Sequence, residues 1–110
     1  MNVYVSERNE KESMLSEFNK VNSIEESDCV IITPGGMSSL SDLFEAIIEH
    51  KDLYLYNENQ YYNQILEQLY KMYKSGYEKN APFEYMKIES DFQNIVDDLN
   101  KKNNTETRHI

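Results

Sequence analysis

An α/β domain is the fold class this sequence predicts: a small three-layer sandwich on a mostly parallel sheet of about four strands. Three observations predict it. Short β-prone apolar runs alternate with segments whose apolar residues recur every three or four positions. The connections between them are short, so successive strands must be joined by helical crossovers and run parallel. One run, "CVII" at Cys29–Ile32, is apolar without a break, as expected of a strand covered on both faces.

Taken in order, "NVYVS" is short and β-prone. "EKESMLSEFNKVNS" reads as a helix with Met14, Leu15, Phe18 and Val21 on one face. "DCVIIT" is the doubly covered strand. "SLSDLFEAIIEHK" is helical, with Leu40, Leu43, Phe44, Ile47 and Ile48 forming an apolar stripe. "DLYLYN" is a strand. "YNQILEQLYKMYKSGY" is a longer helix with Ile65, Leu66, Leu69, Met72 and Tyr73 on one side, and Gly76 stands where a helix stop belongs. "FEYMKIE" alternates as a strand. "DFQNIVDDLNKK" is the last helix, with Phe92, Ile95, Val96 and Leu99 inward and Ser90 or Asp91 as N-cap. With no repeat and no low-complexity linker, the reading is one domain over residues 1–102. The patternless tail, residues 103–110, is expected to fray.

Bulk properties bound the function. The chain has 110 residues, enough for one modest core. Its net charge of −9 works against nucleic acid and anionic membranes, so neither is expected as a partner. The single cysteine, Cys29, rules out a disulfide framework within the chain and reads as a small buried residue. No apolar run approaches the ~20 residues of a membrane span, and "MNVYVSERNE" lacks the pattern of a signal peptide, so the expected location is the cytoplasm. His50 and His109 have no neighbouring ligands at metal-binding spacing, and no zinc, EF-hand or Ser/His/Asp pattern is present. Neither a metal nor another cofactor is called for. The tyrosines between Tyr54 and Tyr77 read as core and rim, and "IEESD" as a solvated face.

The candidate site is "ITPGGMSSLSD", Ile32–Asp42, which holds two of the three glycines. In parallel sheets, ligands bind beyond the carboxyl ends of the strands, where this loop lies. The helix behind it turns free backbone N–H groups and the positive end of its dipole toward the same spot. Gly35 and Gly36 would allow a phosphate close approach to the backbone, and Ser38 and Ser39 add hydroxyls. The same residues also fit a plainer reading: a tight turn followed by a Ser39-x-x-Asp42 capping box.

"PGGMSSLSDLFEAI" resembles the P-G-G-x-G-T-x-x-E motif of the Lonely guy (LOG) family, once labelled lysine decarboxylase-like. Asp28 in "SDCVIITPGG" matches the Asp that opens the family's preceding strand. "LYLYNENQYYNQILEQLYKMYKSGY" and "FEYMKIESDFQNIVDDL" match its later strands and helices, so the resemblance covers about 27–102. It implies a Rossmann-like fold and the binding of nucleoside 5′-monophosphates. In the active members it implies hydrolysis of the N-glycosidic bond to base and ribose 5-phosphate. Carried over by motif, Gly35, Gly36, Ser38 and Ser39 would hold phosphate. Asp42 takes the catalytic Glu position, where a carboxylate can stabilise an oxocarbenium-like state. The family's upstream Arg corresponds to Arg8 or, in a tighter register, to Glu10.

The departures are specific. Ser38 replaces the motif's third Gly, Ser39 its Thr and Asp42 its Glu. The shorter acid withdraws the carboxylate by one methylene, and a misplacement of ~1 Å costs on the order of 10²-fold in rate. The expectation is a LOG-like domain lacking the family's N-terminal half and binding a nucleotide in a degenerate site, with a homodimer covering the open edge. The alternatives are an active phosphoribohydrolase and a non-enzymatic protein-interaction module.

Overall fold

The sheet has five strands, all parallel, in the order β2-β1-β3-β4-β5. The structure is a computed structural model that describes residues 1–7 and 9–108, with residues 105–108 described by backbone alone. The strands are β1 (Asn2–Val5), β2 (Asn19–Lys20), β3 (Cys29–Ile32), β4 (Asp52–Tyr56) and β5 (Met86–Glu89). Three α-helices follow the last three strands: α1 (Met37–Ile48), α2 (Asn63–Lys74) and α3 (Phe92–Arg108). The α/β class, the Rossmann-like layering and the parallel sheet are as the sequence predicts. The strand count is corrected from about four to five.

The extra strand comes from the segment expected to be the first helix. Only Glu10–Leu15 is helical, as a 3-10 turn capped by the Asn9 side chain, which accepts from Lys11 N at 2.8 Å. The chain then pairs with β1, with Val21 N donating to Val3 O at 3.0 Å and Asn19 Nδ2 to Asn2 Oδ1 at 2.7 Å. Leu15 and Phe18 are buried while Met14 is left exposed. Two anchors and a free sheet edge thus override the local helical period, as tertiary context commonly does.

The two faces of the sheet bury separate clusters, which is the period-2 alternation of the strands made visible. Cys29, Ile31, Tyr54 and Tyr56 pack under α3 with Phe92, Ile95 and Leu99. Val30, Ile32, Leu53 and Leu55 pack under α1 and α2 with Leu43, Ala46, Tyr62 and Leu69. All four residues of β3 are buried, which places it at the centre of the sandwich. Burial pushes the Cys29 thiol up to about 12, consistent with an inert packing role.

The predicted stripe of α1 is rolled: Leu43 is inward, but Phe44 and Ile48 are exposed. α2 ends as predicted at Gly76, whose φ of 84° suits the left-handed position. Gly76 N donates to Tyr73 O and Tyr77 N to Met72 O, both at 3.1 Å, the paired bonds of a Schellman stop. α3 runs on past Lys102 to Arg108.

Candidate functional site

The strand order puts a topological switch point between β1 and β3, because the chain leaves β1 toward β2 on one side and β3 toward β4 on the other. In doubly wound sheets the crevice at the carboxyl ends of those strands is the ligand-binding position. Here it is bordered by Ser6 and Glu7 after β1 and by Thr33–Gly36 after β3.

Short-range bonds tie these two strand ends together. Ser6 N donates to Ile31 O at 3.0 Å, and Thr33 N donates to Ser6 Oγ at 2.9 Å. Thr33 Oγ1 donates to Glu7 O at 3.3 Å. From α2's leading edge, Tyr62 OH donates to Thr33 O at 2.6 Å and Tyr61 OH to Gly35 O at 2.5 Å. The two rings meet edge to face with centroids 4.9 Å apart. Left-handed backbone at Asn59 and Gln60, unusual for residues with a side chain, delivers these tyrosines to the loop. Burial, and then the neighbouring Tyr61 phenol, push the Tyr62 phenol up to about 12, while the Ser39 hydroxyl and the Gly35 N–H pull it back.

α1 begins at Met37 with Gly36 as its N-cap, and no side chain caps it. Its first turn carries no acidic residue. The helix therefore presents backbone donors and its positive dipole end unneutralised by its own sequence. The predicted capping box does not form. Ser39 lies inside the first turn, where its N–H donates to Gly36 O at 3.1 Å, and Asp42 lies a turn further on.

Each predicted residue has a distinct fate. Gly35 is sterically required, since a Cβ there would stand 2.2 Å from Ser39 Oγ and 2.8 Å from Glu7 Cγ. Gly36 has open space around it and no positive φ, so nothing in the packing demands glycine. Ser38 is exposed in the first turn and adopts no positive φ, so the Gly-to-Ser change carries no backbone strain. Ser39 is fully buried, and its hydroxyl makes no hydrogen bond of ordinary geometry among the described residues, although it lies close enough to influence Tyr62. Asp42 is half-buried and accepts from Tyr4 OH at 2.8 Å. That contact and burial, with burial the larger, push the Tyr4 phenol up to about 12. Arg8 lies outside the described residues. Glu10, its alternative, opens the 3-10 turn and is exposed.

Beside the loop is a small concavity of about 130 Å³ bordered by Asn9, Lys11, Thr33, Pro34, Tyr56 and Glu58. Lys11 donates to Tyr56 OH and, at 3.1 Å, to Glu58, and Tyr56 OH donates to Glu58 at 2.6 Å. The Tyr56 and Glu58 contacts raise the Lys11 ammonium, and Tyr56 and Lys11 lower Glu58. A larger cavity of about 490 Å³ lies at the opposite, amino ends of β4 and β5, among Phe44, Ile47, Ile48, Leu69, Met72 and Tyr85. Its lining is mostly apolar, with His50, Lys51, Glu78 and Asn80 also bordering it, whereas the loop gathers hydroxyls, backbone donors and a carboxylate. Among the described residues, no three His, Cys, Asp or Glu side chains converge as metal ligands, and no helix is long and apolar enough to cross a membrane.

Glu7, Thr33, Tyr61 and Tyr62 border the loop, and sequence reasoning did not single them out as candidate site residues. Glu7 had a signal, since it sits two positions past a strand end. Its proximity to Gly35 depends on β1 lying next to β3, which the strand sequence alone leaves open.

The sequence model of a family described as "Possible lysine decarboxylase" matches residues 6–99, and no match is found among curated proteins. The matched span contains every element of the crevice after β1.

Proposed function

The chain belongs to the possible lysine decarboxylase family, the LOG-like proteins, and from that premise we propose that it binds a nucleoside 5′-monophosphate with the phosphate at the Gly35–Gly36 loop. The single observation that carries this reading is the uncapped start of α1 at the switch point, beside the Gly35–Gly36 turn. The helix N-terminus would supply a phosphate with backbone donors and a favourable dipole.

Turnover is disfavoured in this reading. Asp42 stands in the motif's catalytic position, yet its carboxylate is engaged by Tyr4 and is one methylene shorter than Glu. Binding without efficient N-glycosidic hydrolysis is the expected behaviour. Thermal melts with a panel of nucleoside 5′-monophosphates and their parent nucleosides test it. A ligand at about 100 times its Kd stabilises the fold by about 2.7 kcal/mol, readily visible as a raised Tm. Failure of every monophosphate to raise the Tm would refute nucleotide binding. Rapid release of ribose 5-phosphate, abolished by Asp42→Ala, would establish the active phosphoribohydrolase instead.

A second reading, a protein-interaction module that self-associates, draws support from the apolar cavity beside the exposed Phe44 and Ile48. It predicts a homodimer in solution, and a strictly monomeric chain at high concentration counts against it.

A further inference from the structure

We infer that the cavity at the amino ends of β4 and β5 is a binding site for a small, uncharged, mostly apolar molecule that carries an aromatic ring. It lies at the opposite end of the strands from the Gly35–Gly36 loop, so the inference stands apart from the nucleotide reading. Its volume of about 490 Å³ falls within the usual range of small-molecule sites, about 300–1,000 Å³. Its walls are the end of α1 with Ile47 and Ile48, the last turns of α2 with Leu69 and Met72, and the segment 78–85. Backbone bonds fix each wall. Leu53 N donates to Tyr85 O at 2.9 Å, which ties the far wall to β4. Tyr77 N donates to Met72 O at 3.1 Å, which folds the chain back at the end of α2. Lys51 N donates to Ala46 O at 3.0 Å across His50, whose φ of 56° is left-handed. The His50 ring then meets Tyr85 edge to face, with centroids 5.4 Å apart, and so joins the end of α1 to the segment before β5. The cavity is thus pre-formed.

The lining selects the ligand. Leu53 and Leu69 belong to the buried core, so the cavity reaches from the surface to the apolar interior. Water there finds few polar partners, and an apolar molecule that displaces it gains affinity. Phe44, His50 and Tyr85 border the space with rings and Met72 with a polarisable sulfur, which suits an aromatic ligand. The rim favours neither sign of charge, because Lys51 and Glu78 oppose each other. The Lys51 ammonium already donates to Ser27 O at 2.8 Å and to Glu25 O at 3.2 Å. A charged ligand would therefore leave water for an apolar lining without a committed counter-ion, which is costly.

The test is an NMR titration of the wild-type chain and Ala81→Trp with 2-naphthol and naphthalene-2-sulfonate. Ala81 lines the cavity, and an indole there takes the space a ligand would use. 2-Naphthol is expected to bind the wild type with a Kd of about 0.1–1 mM. It should shift the methyl groups of Ile47, Leu53 and Leu69 and leave those of Ile31, Ile95 and Leu99, on the other face of the sheet, in place. The sulfonate should bind at least about tenfold more weakly, and Ala81→Trp should weaken 2-naphthol by about tenfold or more. The wild-type shifts decide the question even where Ala81→Trp does not fold. No shift at millimolar 2-naphthol, shifts centred on the other face, or equal binding of the sulfonate overturns the inference. A dimer by light scattering whose cavity methyls do not respond to 2-naphthol overturns it in favour of self-association.

Discussion

Replacing Gly35 with Ala should destabilise the chain for a purely steric reason, and a second substitution should undo the damage. Gly35 has no positive φ, so alanine adds no backbone strain. What it adds is a methyl group 2.2 Å from Ser39 Oγ, where carbon and oxygen ordinarily approach no closer than about 3.4 Å. The Glu7 contact at 2.8 Å is with a flexible side chain that can swing away. Ser39 cannot move as easily, since it is fully buried in the first turn of α1. Overpacking of this kind costs about 1–3 kcal/mol. For a domain near 100 residues, each kcal/mol lowers Tm by about 4–8 °C, so Gly35→Ala should melt well below wild type. Ser39→Ala removes the clashing oxygen and also removes a buried hydroxyl with no hydrogen-bond partner of ordinary geometry among the described residues, so on its own it should be neutral or stabilising by up to about 1 kcal/mol. The double variant should then recover most of the loss, with a coupling energy of about 1–2 kcal/mol in a urea-unfolding cycle. A Gly35→Ala chain as stable as wild type, or strict additivity in the cycle, would refute the reasoning.

Three other outcomes follow from the same contacts. Tyr4→Phe removes the 2.8 Å bond to Asp42 and should cost about 1–2 kcal/mol by urea unfolding, and an unchanged midpoint would show that the bond contributes nothing. Gly76→Ala places a side chain at φ 84° and should cost about 1 kcal/mol, read from the same experiment. Tyr4 and Tyr62 are both pushed up to about 12, so between pH 10 and 12 the unfolded chain loses protons that the folded chain keeps. Stability contributed by these phenols is thus complete below pH 10 and declines toward pH 12. Tyrosinate absorbance should show a late-titrating class that ionises together with loss of far-UV circular dichroism; titration of every tyrosine near pH 10 with the fold intact would contradict this.

Much of the architecture was legible because it is carried by local periodicity. The unbroken run Cys29–Ile32 marked the central strand, since a strand buried on both faces has no polar positions to show. Gly76 marked the end of α2 through its freedom at positive φ. The helix expected after "NVYVS" failed because Leu15 and Phe18 are enough to anchor that segment while its backbone finds partners on β1. The capping box failed for a related reason. Ser39 was drawn into the first turn and buried against Gly35, which left the cap to Gly36.

By itself, then, the sequence determined the α/β class, the position of the Gly35–Gly36 loop at a strand's carboxyl end and, through its motif, the family. Tertiary structure decided which side chains share that loop. Adjacency of β1 and β3 brings Glu7 over Gly35, and the left-handed pair Asn59–Gln60 brings Tyr61 and Tyr62 onto the loop carbonyls. The contact between β1 and α1 turns Asp42 toward Tyr4. Contacts between residues 26 to 38 positions apart depend on strand order and helix rotation, and neither leaves a local signature in the chain.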